Sequence, residues 1–133
     1  MLAQKGEFMT RKVLIVDWDD DDVSYLRRWI DTQNLDLEIE AVNNGRTALE
    51  IFEEHLPDFV IMEIIIPVYT GWKTALEMKL ICERTGHVSV LISLTSIGQS
   101  LNRQFSPLQG FNHVFDKPLN NKVKESLLEI LKS

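Results

Sequence analysis

Apolar residues come along this chain in two rhythms, short solid runs and longer stripes with a period near 3.6, and their alternation predicts a β/α succession. Val13 to Val16 is an unbroken apolar run of strand length ending at Asp17, the pattern of a strand covered on both faces (β1). Asp20 or Asp21 can then cap a helix whose apolar positions Val23, Leu26 and Ile30 share a face before Asn34 closes it (α1). Leu37, Ile39 and Ala41 alternate with Glu38 and Glu40, which predicts a half-exposed edge strand (β2). Asn43-Asn44-Gly45 is turn chemistry, and Ala48, Leu49, Ile51 and Phe52 form an amphipathic stripe that stops before Pro57 (α2).

Phe59 to Ile66 is the most apolar stretch and reads as β3, yet it contains Glu63, a carboxylate that demands an explanation. Pro67 and Gly71 punctuate a loop, after which Ala75, Met78 and Cys82 share a helical face that Thr85-Gly86 ends (α3). Val88 to Leu94 reads as a second buried strand (β4), and His113 to Phe115 as a short one before Lys117-Pro118 (β5). The segment between Ser96 and Asn112 should hold a further helix (α4), which Pro107 interrupts. Asn120 caps the last helix, with Val123, Leu127, Leu128 and Leu131 on one face (α5). Five strands alternating with five helices imply an α/β, doubly wound, mostly parallel sheet, with ligands at the carboxyl ends of its strands. Asp17, Glu63, Thr95-Ser96 and Lys117 all fall at those ends, so four separate segments converge on one crevice.

Composition narrows the class. With 133 residues, 44% apolar and 26% charged, the chain has the size and balance of one globular domain, which excludes disordered, collagen-like and disulfide-miniprotein readings. Residues 1–10 carry no apolar signal core and read as a tag remnant or disordered start, leaving 11–133 as a single domain. The lone Cys82 fits a reducing compartment, hence a cytoplasmic expectation, and reads as core rather than reactive thiol. No apolar run approaches the roughly 20 residues of a membrane span. A net charge of −6 with no visible basic patch argues against binding nucleic acid or an anionic membrane. His55, His87 and His113 lack metal-ligand spacing.

VLIVD at Val13 to Asp17, Pro67-x-x-x-Gly71, Thr95 ending β4, Gly110 and Lys117-Pro118 resemble, in order and approximate spacing, the receiver domain of two-component response regulators. The resemblance spans Lys12 to Leu131 and implies a flavodoxin-like (CheY-like) five-stranded parallel sheet of order 2-1-3-4-5. In such domains an aspartate at the end of β3 accepts a phosphoryl group. Acids after β1 bind magnesium, and the threonine and lysine hold phosphoryl oxygens. Carried onto this chain, the acceptor position is Glu63, the phosphoryl pocket is Thr95, Ser96 and Lys117, and the metal site is Asp17 with the Ile65 backbone.

Three positions depart from that pattern. Glu63 replaces the acceptor aspartate, and its extra methylene moves the carboxylate outward by roughly 1.5 Å, so phosphorylation should be slow or absent. Trp18 replaces the second acid, so magnesium should bind weakly unless Asp19 or Asp20 lends a carboxylate; no cofactor is required. Val114 stands at the aromatic switch position, where a stiff β-branched side chain cannot swing as a ring does. Glu63 is then either a permanently charged stand-in for a phosphorylated aspartate or a tolerated carboxylate paired with Lys117. Asp17 and Lys117 can be a plain ion pair, and the Asp19 to Asp22 run a solvated helix start.

The expectation is an atypical receiver acting through protein contacts at the α4-β5-α5 face, its partner a histidine kinase, an output protein or a second copy, with no catalytic residue. The nearest alternative is a conventional response regulator phosphorylated in the same pocket. A second is a haloacid-dehalogenase-type phosphatase with Asp17 as nucleophile and Asp19 as acid/base, which lacks its final acidic pair. A flavodoxin-type flavin site ranks below both, because the turn after β1 has no phosphate cradle.

Overall fold

The computed structural model describes residues 10–97 and 110–133. Five strands form one sheet in the order β2-β1-β3-β4-β5, with every neighbouring pair parallel. They are β1 (Arg11–Val16), β2 (Leu37–Val42), β3 (Phe59–Met62), β4 (Val90–Thr95) and β5 (His113–Asp116). Helices α1 (Asp20–Asp31), α2 (Gly45–His55), α3 (Gly71–Thr85) and α5 (Asn121–Lys132) cover its two faces. The expected α4, with Arg103 and Pro107, lies outside the described residues, as does almost all of the start at residues 1–10.

Period-two alternation sorts the core into two layers. Leu14, Val16, Val60, Met62 and Leu91 point to one side, against Ala48 and Phe52 of α2 and Ala75 and Met78 of α3. Val13, Ile15, Phe59, Ile61, Ile92 and Leu94 point to the other, against Leu26 and Ile30 of α1 and Leu127 and Leu131 of α5. Because β1, β3 and β4 are apolar on both sides, they read as solid runs. At the amino end of the sheet the Arg11 guanidinium donates to the carbonyls of Leu131 (2.6 Å) and Ser133 (2.7 Å), tying β1 to the last turn of α5.

Several boundaries differ from the sequence reading. The cap of α1 is Asp19, whose carboxylate accepts from the N–H groups of Asp21 and Asp22, rather than Asp20 or Asp21. Strand β3 stops at Met62, and Glu63 begins the following turn although Ile64 and Ile66 remain buried. Strand β4 starts at Val90: Val88 is 80% exposed, and the preceding His87 ring nitrogen Nε2 lies 2.8 Å from the Pro57 carbonyl. On β2, Ala41 is exposed rather than inward. Strand β5 runs one residue further, to Asp116.

Candidate functional site

Three backbone bonds across neighbouring strand tips set the site. Asp17 N–H donates to Val42 O (3.1 Å), Glu63 N–H to Val16 O (2.9 Å) and Lys117 N–H to Thr95 O (2.9 Å). The parallel ladder therefore delivers Asp17, Glu63 and Lys117 side by side at its carboxyl edge. The turn after Glu63 is closed by Gly71, whose N–H donates to Ile64 O at 2.6 Å. A Cβ at Gly71 would stand 2.6 Å from Glu63 O and 2.7 Å from Ile64 Cα, so the Pro67-x-x-x-Gly71 spacing reflects backbone-to-backbone packing.

Glu63 is 2% exposed. Its longer side chain does not push outward but curls back onto its own turn. Oε2 accepts from Ile64 N–H at 2.6 Å, from Ile65 N–H at 3.3 Å and from the Thr95 hydroxyl. Oε1 accepts from Ser96 N–H at 3.1 Å and more loosely from Ser96 Oγ at 3.4 Å, and Lys117 Nζ stands 3.1 Å away. Burial alone would favour the neutral acid, but the bonds from Thr95 and Ser96 and the charge of Lys117 outweigh it and hold Glu63 below the usual carboxylate range.

Lys117 Nζ also reaches Asp17 Oδ2 and Asp22 Oδ2, each at 2.8 Å. Burial opposes its charge, yet the hydrogen bonds to Asp17 and Asp22 raise its pKa above the ordinary lysine value. Asp17 moves the other way from Glu63. Its burial raises the carboxyl, the bonds from Lys117 and Asp19 N–H offset only part of that, and the Glu63 charge adds to the rise. Asp22 is the site residue that sequence reasoning missed. Its signal was its place in the first turn of the helix that leaves β1.

The other expected residues fall as follows. Trp18 is 56% exposed. Asp19 spends its carboxylate on the α1 cap, and Asp20 is exposed at the first position of that helix. Ile65 gives its N–H to Glu63. Val114 packs against the α2/α3 layer, whereas His113 and Phe115 stack on one another, with centroids 6.4 Å apart and rings 7° from parallel.

Magnesium asks for near-octahedral oxygen ligands, one or two of them carboxylates and the rest largely water, and the Lys117 ammonium competes for the carboxylates here that would supply them. Asp17 and Glu63 face the Lys117 ammonium, and no group of three or more His, Cys, Asp or Glu among the described residues is placed to hold a metal ion. The Asp17/Asp19 pair of the phosphatase reading is likewise divided between a lysine and a helix cap.

Residues 13–129 match the family model "Response regulator receiver domain". The chain is 30% identical to Chemotaxis protein CheY of Halobacterium salinarum over 124 residues, covering 92% of this chain and 98% of that one. It is 41% identical over 70 residues to Regulatory protein AtoC of Escherichia coli, covering 51% of this chain and only 14% of that longer protein. Among solved structures, the histidine kinase ThkA in complex with response regulator protein TrrA matches with a TM-score of 0.73 at 24% identity, covering 92% of this chain and 99% of the matched one. Ordered strands, a carboxylate–lysine crevice at their tips and the family match together place this chain among the response regulator receiver domains.

Proposed function

We propose that this receiver domain serves two-component or phosphorelay signalling through protein contacts with little or no dependence on phosphorylation. The observation that carries the reading is the saturation of Glu63. Its carboxylate already takes the hydroxyl of Thr95, the N–H of Ser96 and the ammonium of Lys117, the groups that the family resemblance assigns to phosphoryl oxygens. A carboxylate whose lone pairs are so engaged, 2% exposed, is poorly placed for in-line attack. Glu63 thus acts as a built-in charged stand-in, with magnesium not required and bound weakly at best. Because TrrA was solved with a histidine kinase, the partner class is taken as protein: a kinase, an output protein or a second copy.

The test is intact mass after incubation with a small acyl phosphate donor and magnesium. The expected result is no gain of a phosphoryl group. Glu63→Asp with Trp18→Asp should recover phosphorylation, and more than either change alone. Stoichiometric incorporation mapped to Glu63 in the unaltered chain would overturn the proposal and favour the conventional regulator.

A further inference from the structure

A cavity of about 520 Å³ opens beside the crevice, between α1 and the turn from β5 into α5. Ile15, Ile61, Leu94 and Leu119 give it an apolar floor. Its polar wall carries Asp17, Asp21, Asp22 and Glu63 against Lys117 and Arg28, so four acids face two bases and two negative charges are left over. From these features we infer that the cavity is a binding site for a small organic cation with an apolar body.

The volume lies within the roughly 300–1,000 Å³ of small-molecule pockets. An anion would meet the surplus negative charge, and a divalent metal would gain nothing from the apolar floor. An ammonium on a hydrophobic stem matches both halves. The partly enclosed wall strengthens its attraction to the carboxylates relative to open water. Lys117 cannot balance the wall alone, because its single charge is already divided among Asp17, Asp22 and Glu63. Tyr25, another wall residue, holds the Lys124 ammonium 5.0 Å from its ring centroid, and that charge at the rim offsets one of the two surplus negative charges and leaves the other for a ligand. A ligand drawn to Asp22 would compete with Lys117 and so address the Glu63 pocket from outside. The titration uses the chain without any acyl phosphate donor, in which Glu63 keeps its carboxylate, so its outcome is read separately from the mass experiment.

The probes are phenethylamine, phenethyl alcohol and phenylacetate, one carrying a positive charge, one none and one a negative charge. They are titrated into the isotope-labelled full chain and followed by amide chemical shifts. Phenethylamine should saturate with a Kd of about 1 mM or tighter and move the amides of Ile61, Leu94 and Leu119, while the alcohol binds at least about tenfold more weakly and phenylacetate does not saturate. Ser24→Trp, at an exposed α1 position on the cavity wall, should weaken phenethylamine about tenfold with the thermal midpoint unchanged. Asp21→Asn should weaken it severalfold. Equal binding of amine and alcohol, shifts centred elsewhere, indifference to both substitutions, or no saturation would each overturn the inference.

Discussion

Lys117 spreads one positive charge over three carboxylates, two of them, Asp17 and Glu63, nearly out of water. Removing the ammonium leaves both uncompensated, and breaking a buried pair in this way costs about 3–5 kcal/mol. Lys117→Met should therefore be strongly destabilised near neutral pH, and the sign of its pH dependence follows from Asp17. The folded-state pKa of Asp17 is already raised by burial and loses the partner that lowers it, so its protonated form stabilises the fold at low pH and that stability is lost as pH rises through the raised value. The stability deficit in urea should shrink as pH falls, and a deficit of constant size would contradict the arrangement. Asp17, Thr95 and Lys117 were legible because each ends or follows a strand signal, and Glu63 because it is a lone carboxylate inside an apolar run. The role of Asp22 was not, since four consecutive aspartates offer equivalent caps until the backbone at Asp19 chooses one.

Elements are less legible than residues where burial and hydrogen bonding part company. An apolar run from Phe59 to Ile66 reports burial, and Ile64 and Ile66 are indeed buried, but the ladder ends at Met62. Periodicity cannot see that end, because a packed turn needs apolar side chains as much as a strand does. That turn carries local strain: Val68 sits at φ 74°, a left-handed conformation that a β-branched residue adopts at a cost of about 1–2 kcal/mol. Val68→Gly should raise stability by about 0.5–1 kcal/mol after the added flexibility of the unfolded chain is counted, read as a higher urea midpoint; a lower one would show that the exposed valine makes an unrecognised contact. Gly71→Ala tests the same turn from its other end. Its Cβ would collide with backbone atoms that cannot yield without moving Glu63, so a loss of about 2–3 kcal/mol is expected. A neutral effect would mean that the turn is looser than its 2.6 Å bond implies.

At the scale of the whole molecule the sheet divides the core into an α2/α3 layer, which holds Val114, and an α1/α5 layer, onto which the cavity opens. On the proposed reading, a valine where the family resemblance puts the switch and a standing charge at Glu63 would leave little for a phosphoryl mimic to change, because a ligand shifts an equilibrium only by its differential affinity for two states. Partner binding or self-association should thus change by less than about tenfold with beryllofluoride and magnesium. It should fall on charge reversal at Lys122 and Lys124 of α5, as measured by titration calorimetry or sedimentation. A larger beryllofluoride response, or association untouched by the reversals, would refute constitutive contact through this face. The Arg11 clamp adds a statement about wiring. It brings the start of β1 and the end of α5 together at the pole of the sheet opposite Glu63. Fluorophores attached before Arg11 and after Ser133 would report on each other and not on the crevice, and a module grafted at either point would hear the pocket only through the length of β1 or of α5.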